Sequence, residues 1–431
     1  DQFNPNQEVY NIDTVKDFEF YYFNLPNSVS DGFVALNATN IDLGTNATIL
    51  PIDVEGGPSL LTLGSQITLV NATNPIVGNF ANIDERIEGQ MGIFFLYDYL
   101  VYEDTDGSIK AAVVAAPRIN NQVKAITEAS AARLAFVNQG QDFIAERGIE
   151  LAKARAATEN GIGVFAAVSG GKSRYDTGSH VDVSGASTLF GVSMGNYFDQ
   201  NRLTVGVFGE FGFGSYESHT PAQAIDIDAE GDLSYVGGGL MARYDIQSSA
   251  GTLYLEGSGR IGNAKTEFIA KNVRVANRRP SYKTSGTYVG AHAGVGYDMQ
   301  VTEESDIDVY FKYLWNKQNG GDERLSGVPF TLEDATSSRI RTGARLNYSY
   351  NDFIIPYVGG AYMYEFNGET DARAFGLNLP NADLKGSSAM AELGIKLLNS
   401  DTVPVSLDAG VQGYFGNRRG MSGSLDLKYE F

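Results

Sequence analysis

The 431-residue sequence contains no cysteine. A disulfide scaffold, a thiol nucleophile and a cysteine metal site are therefore excluded. Histidine is nearly as scarce. Only His180, His219 and His292 occur, far apart in the chain, which argues against a histidine-rich metal centre. No metal and no cofactor is expected. Charge is sparse, at 19% of residues, and lopsided, with 52 acids against 32 bases and a net charge of −20. A surface of that sign suits neither nucleic acid nor anionic lipid headgroups, so no nucleic-acid partner is expected. No apolar run approaches the roughly 18 residues of a spanning helix. The longest, Gly161–Val168 and Ala111–Ala116, fall far short. A membrane helix is excluded, whereas a membrane β-barrel is not. The sequence opens at Asp1 with neither Met nor a signal-peptide pattern, and is expected to be a processed form or a fragment.

What is plentiful is glycine (50), tyrosine (24) and phenylalanine (24), in a chain 43% apolar that cannot be disordered. Three regions differ in character. Residues 1–116 read as short strands, such as Phe18–Phe23, Phe33–Leu36 and Met91–Tyr102, interrupted by Asn37, Asn40, Asn46, Asn71 and Asn74 where a coil must bend. They predict a β-rich, solenoid-like region, although no fixed repeat period is visible. Residues 117–160 hold the one convincing helix, with Pro117 just before its start and Ala, Glu, Lys, Gln and Arg dominant. Lys124, Glu128, Arg133, Asp142, Glu146, Arg147 and Glu150 lie all around it, so it needs water or a polar channel rather than an apolar core. Gly140 and Gly148 each weaken it and could mark a break.

Residues 161–431 alternate with period two. Leu425, Leu427, Tyr429 and Phe431 share one face of the last segment, and Ser424, Asp426, Lys428 and Glu430 the other. Twelve such segments are expected, at 162–169, 182–198, 202–216, 231–246, 252–271, 282–300, 305–316, 331–350, 353–366, 387–399, 405–415 and 421–431. Short connections alternate with longer polar ones at 170–181, 217–230, 272–281, 317–330 and 367–386, the mark of an outer-membrane barrel. Several segments exceed the ~9–11 residues needed to cross and should project on the loop side. Tyr197, Phe198, Tyr244, Tyr297, Tyr348, Tyr350, Phe353 and Tyr357 fall near strand ends, as interfacial girdles require. The fold expected is all-β: a 12-stranded antiparallel transmembrane β-barrel, preceded by a helix and a short solenoid-like region.

That order resembles the monomeric autotransporters of type V secretion. Ala132-Arg133-Leu134-Ala135-Phe136-Val137-Asn138-Gln139-Gly140 is similar to the family's linker helix, and Val164–Gly171 with Tyr175–Val183 to its first two strands. Leu425 to Phe431 is similar to the terminal strand read by the barrel-assembly machinery, and Tyr10–Phe18 to the start of the last passenger segment. The resemblance implies a barrel in the bacterial outer membrane with its helix in the lumen, Arg133, Asn138, Gln139 and Arg147 forming the plug. It implies export of the chain's own passenger, with residues 1–116 at the cell surface. It also implies contacts with outer-membrane lipid and lipopolysaccharide, and a monomer. Twelve strands leave room for one helix of roughly 10–12 Å diameter. A stand-alone pore carrying an extracellular binding module is the other reading.

No catalytic site is expected. Some family members cleave the passenger at an Asn-Asn bond with the help of lumen acids, as the resemblance implies. Here Asn120-Asn121 lies well ahead of the first strand and reads better as a helix start with Asn near its cap. Glu210, Asp308 and Asp426 then read as solvated lumen charges. His180 with Asp182 has no nucleophile beside it and reads as loop. Arg274, Arg278 and Arg279 form a basic loop cluster whose weaker reading is lipopolysaccharide contact.

Overall fold

The computed structural model describes residues 11–55, 61–155, 162–221, 227–273, 279–351, 353–398 and 405–429. The front region is a coil of nine short strands: β1 (Asn11–Lys16), β2 (Phe20–Leu25), β3 (Val34–Asp42), β4 (Thr48–Val54), β5 (Gln66–Ala72), β6 (Arg86–Met91), β7 (Phe95–Glu103), β8 (Ile109–Val113) and β9 (Arg118–Ile119). β1, β3 and β5 stack in parallel on one side, and β2, β4 and β6 on the other. The antiparallel pair β7–β8 closes the coil by joining β6 to β5. Alternate side chains point inward, so Leu25, Ile52, Ile67, Leu69, Tyr97, Tyr99 and Val101 are buried. Asparagine ladders run along the stack, not at the expected bends, since Asn37 and Asn40 lie within β3 and Asn71 within β5: Asn71 Nδ2 donates to Asn37 Oδ1 at 2.8 Å, and Asn74 to Asn40 at 2.7 Å. The solenoid reading holds, and the absent period has a cause. Asn11 lies beside Asn37 but Val34 beside Thr68, so successive turns of the coil differ in length.

The region ends later than its expected limit at 116. Arg118 and Ile119 still pair with Leu96 and Phe95 of β7. A tight turn at Asn121–Val123 then opens α1 (Lys124–Phe143), which passes through a π-helical turn (Ile144–Gly148) into α2 (Ile149–Arg155).

Twelve strands close a barrel: β10 (Ile162–Asp176), β11 (His180–Phe198), β12 (Asn201–Thr220), β13 (Ile227–Ser248), β14 (Gly251–Ala270), β15 (Ser281–Thr302) and β16 (Ser305–Gln318) come first. Two short strands follow in an outer loop, β17 (Gly321–Leu325) and β18 (Val328–Leu332). The barrel resumes with β19 (Ala335–Tyr348) and β20 (Ile354–Glu365). A second elaborated loop holds β21 (Glu369–Thr370), β22 (Ala372–Ala374), β23 (Leu377–Asn378) and β24 (Ala382–Asp383). β25 (Gly386–Leu397), β26 (Val405–Gly416) and β27 (Arg418–Tyr429) complete the wall. Every neighbour is antiparallel, and β27 closes on β10 with Leu425 opposite Val168 and Tyr429 opposite Val164.

The strand count matches the sequence reading, but two connections do not. The stretch 170–181, expected as a loop, is strand to Asp176 followed by a tight turn, because Gly170 and Gly171 continue the ladder against β11 and β27. The stretch 217–230 is likewise strand at both ends. The outer loops are not plain coil either. β17, β18, β22 and β23 form a small sheet against which the front region packs, Phe94 on Phe330 (ring centroids 5.8 Å apart) and Phe95 on Phe375 (5.6 Å).

Val205, Val207, Phe211, Phe213, Leu240, Ile261, Phe311, Leu393, Leu425 and Leu427 are exposed on the barrel's outside, forming its lipid belt. Tyr197, Phe198, Tyr348, Tyr350 and Phe353 are exposed at the short-turn end, as a girdle should be. Tyr357 is not among them. It is 4% exposed and faces the lumen, because it alternates with the outward Val358. Among the described residues no helix is long and apolar enough to cross a membrane, which says nothing of crossing by strands.

Candidate functional site

The helix runs down the middle of the barrel. Its start sits at the long-loop end. Asn120 caps it, Oδ1 accepting from Gln122 N at 3.1 Å, while its Nδ2 donates to Gln122 Oε1. This is the cap reading of the Asn120-Asn121 pair, with the Asn120 amide tied to its own helix. One turn in, the Glu128 carboxylate receives Thr177, Ser179 and Thr220 hydroxyls from the rim of β10–β12. Lys124 donates to Thr177 O (2.8 Å) and Ser179 Oγ (2.9 Å).

Below this collar each polar residue of the helix meets a polar wall. Arg133 Nε donates to Gln318 at 3.2 Å and its Nη2 to the Asn319 carbonyl at 3.0 Å. Asn138 bonds Ser337 (3.0 Å) and Asn316 (2.7 Å), and Gln139 donates to the Tyr175 hydroxyl (3.0 Å). Asp142 is surrounded by three guanidinium groups, Arg339 at 2.6 Å, Arg418 at 3.0 Å and Arg341 at 3.3 Å. Arg341 also pairs with Glu146. Arg147 reaches Asp408 (2.8 Å), Asp426 (3.7 Å) and the Tyr357 hydroxyl. Near the far end Glu150 lies 2.8 Å from Arg345, which forks onto Glu392 at 2.8 and 3.0 Å. In an apolar core these charges would cost several kcal/mol each. Here each finds a partner.

The four plug residues expected from the sequence thus all contact the wall. The acids Glu128, Asp142, Glu146 and Glu150 had been read only as scattered charge, and their partners Arg339, Arg341 and Arg345 were missed. The signal was present: three arginines fall on the non-lipid face of one strand, opposite acids spaced by one helical turn. Gly140 does not interrupt the helix, whereas Gly148 ends its one irregular turn. A Cβ on Gly140 would lie 2.4 Å from the Tyr235 hydroxyl and one on Gly148 2.8 Å from Leu189, so both glycines permit close approach to the wall. That irregularity is the π turn Ile144–Gly148. Inner-wall glycines make room in the same way: Gly185 and Gly214 flank the Phe136 ring.

Glu210 pairs with Arg260 (2.9 Å), Asp308 accepts from Tyr254 (2.8 Å), and Asp426 faces Arg147, so the three expected lumen acids are wall charges. A small cavity of about 40 Å³ beside Gln139, Asp142, Glu146 and Arg418 is the size of a water or two. Arg279 is exposed, and Arg274 and Arg278 lie outside the described residues, as does Phe431.

A closed twelve-stranded barrel with an apolar outside and a lumen filled by its own helix is an outer-membrane transport barrel. The autotransporter β-domain model matches residues 161–410, more than half of the sequence, and the chain belongs to that family. The fold is similar to the transport unit of the autotransporter AIDA-I from Escherichia coli, with 14% identity, a TM-score of 0.54, and coverage of 71% of this chain and 99% of that one. It is also similar to the translocator domain of the autotransporter NalP from Neisseria meningitidis, with 16% identity, a TM-score of 0.53, and coverage of 71% and 98%. No curated protein matches the sequence. The chain is an outer-membrane translocator that exports a passenger carried on its own N-terminal side.

Proposed function

We propose that the lumen now filled by residues 121–155 is the path by which the passenger left the cell, and that residues 11–119 are the membrane-proximal end of that passenger, standing at the cell surface. The observation that carries this is the direction of the helix. It enters at the long-loop end, held by the Glu128 collar, and its far end meets the short-turn side, where Lys153 lies beside Asp245 and the Arg202 side chain donates to the Lys153 carbonyl. Long loops face outward in barrels of this type. A solenoid packed on those loops shares their side of the membrane. Protease added to intact cells should therefore remove residues up to about the helix start and leave the barrel as a protected fragment on a gel. Protection of the front region would place it in the periplasm.

The barrel's partners follow from its surfaces. The apolar belt suits outer-membrane lipid, whereas a lipopolysaccharide phosphate at the outer end would have to compete with Asp182, Glu267 and Asp176 for Lys172, Lys283 and Arg419. The edge of β27 suits the barrel-assembly machinery. Until β27 pairs with β10, its unpaired N–H and C=O groups would cost several kcal/mol each in lipid. An assembly factor can hold that edge by adding a strand, reading alternate side chains such as Leu425, Leu427, Tyr429 and Phe431. Deleting Phe431 alone should sharply reduce heat-modifiable barrel in cell membranes while leaving refolding in detergent largely intact. Equal losses in both assays would reduce Phe431 to a girdle residue.

A further inference from the structure

The sequence places its histidines far apart, but the barrel brings two of them together. Four consecutive strands set four side chains in one cross-strand row: Asp176 of β10 opposite His180 of β11, His180 opposite His219 of β12, and His219 opposite Asp228 of β13. Directly opposite residues on neighbouring strands share a face. That face is the outer one, since the alternate residues Tyr175, Val181, Ser218 and Ala229 are buried toward the lumen. The row lies at the long-loop end, above the apolar belt. The two imidazole rings have centroids 5.3 Å apart and are tilted by 33°. Asp228 Oδ1 is 2.7 Å from His219 Nδ1. A carboxylate at Nδ1 fixes the tautomer and makes Nε2 the basic nitrogen, the arrangement that stands behind most metal-bound imidazoles.

We propose that His180 and His219 form a site for a divalent transition-metal ion, zinc, nickel or copper(II), on the outer face of the barrel's exterior end, with Asp228 orienting His219. Imidazole nitrogen suits these ions, whereas magnesium and calcium prefer oxygen donors. Among the described residues no group of three or more His, Asp or Glu converges on one point. The ion is therefore held by two rings and completes its shell with water, replacing any hydrogen bond the ring nitrogens make without it. Acids of the row beneath, Asp182, Glu217 and Glu230, add a negative field, partly offset by Arg174 and Lys271.

The position gives the site a consequence. His180 directly follows Ser179, and His219 directly precedes Thr220. Ser179 and Thr220 are two of the three hydroxyls that hold Glu128 of the helix. An ion joining β11 to β12 at these positions clamps the collar around the helix start, so it should stabilise the folded barrel by binding that state alone. The site does not depend on the direction of the helix or on which side the front region occupies.

The test uses the full chain refolded in detergent, titrated calorimetrically with nickel, zinc and copper(II) salts, with thermal unfolding measured in parallel. One ion should bind per chain and the unfolding temperature should rise. His180→Ala and His219→Ala should each weaken binding at least as much as Asp228→Asn, for which loss of the orienting carboxylate predicts about tenfold. Both histidines face outward and are only half-buried, so the variants should keep the heat-modifiable mobility of the folded barrel. Binding unchanged in the His180→Ala/His219→Ala double variant would overturn the proposal. So would the absence of binding heat above the detergent blank. Calcium binding with equal affinity would also overturn it, by assigning the site to the carboxylates.

Discussion

Removing residues 121–155 from the chain opens the barrel: in planar bilayers the conductance of the deletion variant should rise several-fold over that of the intact protein. The removed segment is a helix of roughly 10–12 Å diameter, and twelve strands enclose little more than that. Its side chains occupy the lumen from the Glu128 collar to Lys153, and the cavity beside Asp142 and Arg418 holds only a water or two. The front region also covers the mouth, where Phe94 and Phe95 rest on Phe330 and Phe375. A second variant separates the two contributions. Deleting residues 11–119 while keeping the helix should leave the conductance low, and a large rise there would make the cap, not the helix, the seal.

Asp142→Asn should be the most damaging single change in the lumen. The carboxylate stands among Arg339, Arg341 and Arg418, and the substitution leaves three guanidinium groups facing one another with one anion fewer. Breaking a buried pair by removing one partner costs about 3–5 kcal/mol. Glu146 still faces Arg341, and the adjacent cavity admits water, which places the expected loss toward the lower end. The variant should unfold at lower temperature in heat-modifiability gels and show flickering openings in bilayers. Combining it with Arg418→Gln removes one of the stranded cations and should recover part of the loss. A double variant no more stable than Asp142→Asn alone would mean that the cluster does not act through charge balance.

Much of this architecture was legible because the barrel's two faces have opposite chemistry. Leu425 and Leu427 against Asp426, or Val309, Phe311 and Tyr313 against Tyr310 and Lys312, reveal strand and orientation together. Tyr357 was misplaced because an aromatic near a strand end looks the same on either face, and only its phase against Val358 separates them. Gly170-Gly171 read as loop because glycine carries no side chain to alternate, although its backbone pairs as well as any other. The strands β21 to β24 are two or three residues long, below the length at which alternation can be seen. The lumen network was half visible. Polar helix residues announce that they need partners, but the partners lie 36 to 276 residues away, on strands and turns whose register is set only when the barrel closes.

The column of arginines on β19 faces acids at 142, 146 and 150, four residues apart along the helix. A shift of the helix by one turn, about 5.4 Å, carries Glu146 toward the place Asp142 held and Glu150 toward that of Glu146. A shift of half a turn, about 2.7 Å, leaves each acid between two such places and its pairs stretched. The lumen therefore acts as a set of detents. Small axial slips are resisted, and the softest displacement is a whole turn, so a helix pulled from outside should yield in discrete steps rather than slide.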